Sequence, residues 1–186
     1  MRDRYFSMYQ NIEYKTCFYR AHGENAHRWY SLYTAATLAL SILSVLIWSI
    51  SRTMPALWAI LIAAAQFAQA YSSHLPWAAQ LTALKYLLPE LDQLMLDIDH
   101  DWLSIDMNVY KKPEILELIS AYERRYSLLE KQFASGVSFH QRGYILEKAE
   151  KAQRQYFYIR YPIIEESERS KERNGGKDSA FAPERR

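Results

Sequence analysis

From Trp29 to Ser51 the chain carries no charged residue. Arg52 and the turn residues Thr53, Met54 and Pro55 interrupt it, and a second apolar run follows from Ala56 to Tyr71. Charge returns only at Lys85. A hydrocarbon core about 30 Å thick takes roughly 20 apolar residues at a rise of about 1.5 Å each. The first run meets that length, and the second, at about 17 residues, lies at its short end. The pattern predicts a transmembrane hairpin over 29–73, with spans at about 29–51 and 55–73. Aromatic residues sit where headgroups would lie: Trp29, Tyr30, Tyr33, Tyr71 and Trp77 at one level, Trp48 and Trp58 at the other. The competing reading is a helical bundle with an unusually apolar central hairpin.

The flanks show helical periodicity. Before the hairpin, residues 1–28 form a cytoplasmic helix with Tyr5, Tyr9, Ile12 and Tyr19 in one stripe. Gly23 is either a hinge or a close-packing position. After the hairpin, 74–164 reads as a cytoplasmic helical bundle. Its first helix carries a seam of alternating four- and three-residue steps through Leu81, Leu84, Leu88, Leu91, Met95, Ile98, Trp102 and Ile105, unbroken across Pro89. Such a seam pairs with the N-terminal helix, with the helix at about 113–134, or with another copy of the chain as an oligomerisation seam. A last helix is expected from about Phe139 to Arg160, with Ser138 as N-cap and Gln141 completing a capping box. The charged stretch 165–186, with Gly175-Gly176, is expected to be a disordered tail. The fold class is therefore all-α: a membrane protein with a two-helix hairpin and a heptad-rich bundle.

Composition narrows the function. A net charge of +2 gives no ground for direct nucleic-acid binding. The one cysteine, Cys17, cannot form an internal disulfide and reads as a structural thiol. The apolar run starts only at Trp29 and is too long for a cleaved signal, so it is expected to act as a signal anchor. Arg2, Arg4, Lys15, Arg20 and Arg28 precede it, and Lys85, Lys111, Lys112, Arg124 and Arg125 follow the hairpin. Basic flanks stay inside, which places both termini in the cytoplasm and the Arg52 loop on the far side of two spans.

Two polar faces run along the hairpin: Thr34, Thr37, Ser41 and Ser44 on the first helix, and Gln66, Gln69 and Ser73 on the second. They pack helices together, or they line a pore built by several hairpins. No nucleotide-binding, zincin, disulfide-redox or hydrolase motif is present, and nothing in the pattern supports an enzyme or calls for a cofactor. One acidic cluster stands out: Asp97, Asp99, His100 and Asp101, with Asp92 and Asp106 nearby. Asp97 and Asp101 share a helix face and have divalent-cation chemistry, but these acids fall between seam residues, so the cluster reads as a solvated face. His22, His27 and His74 lie near one interface and show no metal-ligand spacing.

The basic-aromatic run Tyr14-Lys15-Thr16-Cys17-Phe18-Tyr19-Arg20-Ala21, then Arg28-Trp29-Tyr30, leads into a two-helix hairpin and a heptad-rich tail. Over roughly 8–160 this layout resembles the SLATT domain family of bacterial conflict-system effectors. The resemblance implies an oligomeric effector of antiphage defence in the bacterial inner membrane that forms a pore or depolarises the membrane, causing growth arrest or death. It also implies a sensor partner encoded nearby: a nucleotidyltransferase, a nucleotide-binding protein or a reverse transcriptase. The alternative from another class is a non-conducting membrane anchor or scaffold that presents a coiled-coil bundle to a partner protein. On either reading the partners are membrane lipid and other copies of the chain.

Overall fold

The computed structural model describes residues 1–50, 55–72 and 75–161, with the side chains of 45–50 and 55–58 left aside. The Arg52 turn, the ring positions of Trp48 and Trp58, Ser73, His74 and the 165–186 tail fall outside the described residues.

The element order is α1 (Arg2–Ile50), α2 (Pro55–Tyr71), α3 (Pro76–Asp106), α4 (Lys112–Leu129), a π-helical turn (Glu130–Ala134) and α5 (Gly143–Arg160). No strand occurs among the described residues, so the all-α class holds. Prolines open elements: α2 and α3 begin on Pro55 and Pro76, and Pro113 lies in the first turn of α4. A helix start tolerates proline because its first N–H groups have no partner within the helix. Between Arg2 and Ile50 there is no proline, and α1 runs 49 residues without a break. At about 1.5 Å per residue it is roughly 74 Å long. Gly23 sits inside it, half-buried, where an added Cβ would meet Leu84 Cδ1 at 3.5 Å and Leu88 Cδ1 at 3.8 Å. It is a packing position against α3 in a continuous helix.

The core forms where the first half of α1 lies along α3, with α4 and α5 closing the sides. Tyr5, Tyr9, Ile12 and Tyr19 of α1 are buried, as the stripe implies. Facing them on α3 are Leu84, Leu87, Leu91, Leu94, Met95, Ile98, Trp102 and Ile105, all buried; Leu81 and Leu88 are half-buried. The heptad seam is therefore spent inside this chain. Ile115, Ile119, Tyr126 and Leu129 of α4 and Ile145 and Ala149 of α5 are buried beside them. Each fully buried aliphatic side chain contributes about 1.5–3 kcal/mol relative to exposure.

Two boundaries differ from expectation. The helix at about 113–134 changes at Glu130 into the π-helical turn, and Gly136 at φ 86° then reverses the chain. The last helix starts at Gly143, not Phe139, with Arg142 at its N-cap and no side-chain cap. Phe139 is half-buried instead, edge-on to Tyr19 at 5.2 Å and to His22 at 5.4 Å. Burying that ring holds the segment out of the helix. Ser138 is used differently too: its carbonyl accepts from Gln80 Nε2 at 2.8 Å.

The transmembrane expectation is corrected. Among the described residues no helix is long and apolar enough to cross a membrane. The membrane-protein class, the two spans and the inner-membrane location are not supported. The physical reasons lie in length and composition. α2 has 17 residues, about 26 Å of helix against a core of about 30 Å, and it carries Gln66 and Gln69. The described part of the first run is diluted by Ser31, Thr34, Thr37, Ser41 and Ser44 and by the polar-tipped rings of Trp29, Tyr30 and Tyr33. It is also the second half of a helix whose first half is a charged, amphipathic bundle element.

Because Leu91 is wholly buried between α1 and α3, Leu91→Ala is expected to cost about 2–5 kcal/mol. Urea unfolding followed by circular dichroism measures it; a loss below about 1 kcal/mol would contradict the packing described.

Candidate functional site

The acids of α3 are the first candidate site, and the structure disperses them. Asp92 pairs with Arg20 of α1 at 2.7 Å, and Asp97 with Arg125 of α4 at 2.6 Å. Asp101 accepts from Tyr122 Oη at 2.6 Å and from Tyr110 Oη at 3.4 Å. Asp106 pairs with Arg2. His100 is exposed. Each acid reaches a different neighbour, and no group of three or more His, Cys, Asp or Glu residues able to hold a metal occurs among the described residues.

Asp99 departs from the solvated-face reading. It is 4% exposed and lies under the end of α5. Oδ1 accepts from Tyr9 Oη at 3.0 Å, Arg160 Nε at 3.0 Å and the Tyr161 hydroxyl; Oδ2 accepts from Arg160 Nη2. Tyr9 Oη also lies 3.0 Å from Tyr156 Oη. Burial alone would raise the Asp99 pKa, but the bonds from Arg160, Tyr161 and Tyr9 outweigh it and hold the carboxyl below its ordinary value. Burial, reinforced by Asp99, pushes the Tyr161 phenol up to about 12. Phe6, Phe157 and Trp102 surround the node with ring contacts of 4.9–6.5 Å. Fully partnered, Asp99 is a structural tie between α1, α3 and α5.

Glu13 is the converse case. It is 3% exposed, and the one hydrogen bond it accepts among the described residues comes from Cys17 Sγ at 3.4 Å. Desolvation raises its pKa to about 7, against the smaller opposing effects of Cys17 and Arg20. Desolvation and the neighbouring Glu13 push the Cys17 thiol up to about 12, which keeps it protonated and unreactive. His22 is also buried, edge-on to Phe18 at 4.6 Å, with its pKa lowered by desolvation.

The hairpin is the second candidate. α2 packs on α1 and on no other element among the described residues, so the second half of α1 and α2 form an arm beyond the bundle. Ala65 is buried in the contact, and Tyr33 Oη donates to the Ala68 carbonyl. Tyr33 also packs on Trp77 at 5.6 Å, at the base of the arm. The polar face of the first helix bonds to its own backbone. Thr34 donates to the Tyr30 carbonyl at 2.9 Å, Thr37 to that of Thr34 at 3.0 Å, Ser41 to that of Thr37 at 2.9 Å and Ser44 to that of Ser41 at 2.8 Å. Ser44 is buried, Thr37 and Ser41 are half-buried, and Thr34 is exposed. Gln66 and Gln69 are both exposed. The two polar faces therefore do not meet in one channel within the monomer.

The arm's remaining surface is apolar. Trp29, Tyr30, Leu32, Leu38, Leu40, Ile42 and Leu43 of α1 and Ile60, Ile62, Phe67 and Tyr71 of α2 are exposed. Phe67 and Tyr71 stack at 6.0 Å.

No protein-family model matches this chain, and no curated protein and no solved structure matches it.

Two variants test the buried carboxyls. Asp99→Asn is expected to cost about 2–3 kcal/mol by weakening charge-assisted bonds, read by thermal unfolding at neutral pH. Because the folded pKa of Asp99 is lowered, its contribution is present above the unfolded value of 3.8 and is lost as pH falls through the folded one. Glu13 has the opposite sign. Between its ordinary value of 4.5 and its folded value of about 7, the folded chain keeps a proton that the unfolded chain has released. Stability therefore falls as pH rises across that window, by about 3 kcal/mol in total. Glu13→Gln is expected to remove that slope and to stabilise the protein at pH 8 more than at pH 5. Parallel pH profiles of the two proteins would sink this assignment.

Proposed function

We propose that the protein is a non-catalytic assembly module: the bundle of α1, α3, α4 and α5 holds out the arm, and the arm joins copies of the chain into an oligomer. The observation that carries this reading is the exposed apolar arm surface, built from both helices. Contiguous exposed apolar patches mark interaction sites, because leaving them in water forgoes roughly 25 cal/mol per Å². The partner is a second copy. The first arm helix has no charge from Trp29 to Ser51, and α2 has none, so a charged partner surface would lose its hydration without compensation. The hydroxyls of Thr34, Thr37, Ser41 and Ser44 already bond to carbonyls of their own helix and ask nothing of a partner. An uncharged apolar surface is what another arm offers, and a two-fold interface uses the same patch twice. The α3 seam is buried inside the chain, so it does not supply this contact.

The resemblance to SLATT effectors supplies the setting for this reading. The oligomer is the output component of an antiphage defence system, and a sensor partner encoded nearby controls its formation. Growth arrest or death follows from assembly. Membrane depolarisation is no part of the proposal, because it requires spans.

The test is the mass of the full chain by light scattering at about 10–100 μM, with Leu38→Glu and Phe67→Glu as variants. Wild type is expected to be oligomeric. Each variant is expected to weaken association by about a hundredfold or more, with unchanged helicity, since it buries an unpaired carboxylate. A monomeric wild type, or variants of unchanged mass, would overturn the proposal. So would binding of the wild-type arm to phosphatidylglycerol vesicles without self-association.

A further inference from the structure

The carboxyl of Glu13 is buried where α5 covers α1. The backbone of α5 lies along α1 and along no other element among the described residues. It is tied to α3 at its last residue, where Arg160 donates to Asp99. A non-helical segment over 137–142 leads into it. The pairing of α1 with α3 and α4 therefore does not depend on α5 being in place, and such an element opens at lower cost than the whole bundle.

The contacts of α5 on α1 follow one helical face. Phe157 packs on Phe6 at 5.6 Å, Gln153 Nε2 donates to the Gln10 carbonyl at 2.6 Å, and Lys148 pairs with Glu24. Glu13 and Cys17 follow Gln10 at steps of three and four residues on that face, and each is 3% exposed. A buried carboxylate needs several strong donors, and the one that Glu13 has among the described residues is the Cys17 thiol at 3.4 Å. The other charged and titratable groups near it are engaged elsewhere. Arg20 of α1 pairs with Asp92 of α3 at 2.7 Å, and the Tyr156 hydroxyl of α5 shares a hydrogen bond with that of Tyr9 at 3.0 Å. Desolvation of Glu13 outweighs the attraction of Arg20, and Asp92 adds to it. An ionised Glu13 lacks water, and α5 is the element that excludes it.

We propose that α5 is a proton-dependent latch: it lies closed on α1 while Glu13 is protonated, and ionisation of Glu13 favours an open state in which α5 has left and water reaches the carboxylate. The latch does not rest on the arm's role, since none of these residues belongs to the arm. Closed, Glu13 releases its proton at about 7; open, it releases it at its ordinary value of 4.5. The open fraction therefore rises with pH between those values and levels off above them. From pH 5 to pH 8 the opening constant is expected to rise by up to about seventyfold.

The test is native-state hydrogen exchange of the full chain at pH 5 and pH 8, read by mass spectrometry and corrected for the exchange of an unstructured peptide. Cys17, the one cysteine, lies under the same contact, and its labelling by dithiodipyridine gives a second measure of opening. The amides of 147–160 and the Cys17 thiol are expected to report one opening constant, at least about tenfold above that of the α3 amides over 87–98. That constant is expected to rise at least about tenfold from pH 5 to pH 8 in wild type, and to change less than about twofold in Glu13→Gln. Equal constants for α5 and α3 would mean that water enters by unfolding of the whole bundle, and would overturn the proposal. So would a wild-type opening constant that ignores pH, or a pH dependence retained in Glu13→Gln.

Discussion

The pairing of the first half of α1 with α3 is the contact on which the rest of the molecule depends. α1 brings tyrosines to it and α3 brings leucines, so a wide aromatic ridge lies in an aliphatic groove. Tyrosine at such positions contributes more than area, because each ring carries a hydroxyl that has to be met. Tyr5 donates to the Ile98 carbonyl at 3.0 Å and Tyr9 to Asp99 at 3.0 Å. These bonds cross the helix interface and set its register. A slip of one residue would leave buried hydroxyls and a buried carboxylate without partners, at about 1–3 kcal/mol each.

The other helices attach to that pair through α3's acids. Asp97 and Asp101 reach α4, and Asp99 reaches the end of α5. The exposed pairs with Arg2, Arg20 and Arg125 are worth little individually, since water and salt screen them. Asp99 differs because it is buried and fully bonded. Glu13 shows the opposite balance one helix away: equally buried, but with a thiol as its partner, it resists ionisation. Two buried carboxyls in one bundle thus respond to pH with opposite signs, and the difference is the number and charge of their donors.

The molecule divides into a bundle whose polar groups are mostly satisfied and an arm whose apolar groups are mostly uncovered. In the bundle, sequence periodicity and packing agree. In the arm they do not, since α2 has α1 as its one neighbouring element among the described residues and leaves the outer faces of both helices open. That mismatch between apolar content and local burial is the observation behind the proposed assembly role of the arm.

Much of this was legible in the chain itself. The 3.6-residue periodicity determined the all-α class, the Tyr5–Tyr19 stripe and the α3 seam, because a helix repeats its faces at fixed spacing whatever it packs against. The prolines at 55, 76 and 113 fall at helix starts for a reason equally local. What the seam packs on was open, and the tertiary structure decided it: Tyr9 meets Asp99 across a sequence separation of 90 residues, beyond any local signal. Asp99 looked like its acidic neighbours, and only the arrival of Tyr9, Arg160 and Tyr161 separates it from them. Ser138 had the residue types of an N-cap, but burial of Phe139 took precedence over that local preference. The uncharged run predicted two spans because hydropathy counts residues without their surroundings. In the fold that run is the second half of a long helix, back-bonded through its hydroxyls and paired with a helix of 17 residues, surroundings that a count of apolar residues does not contain.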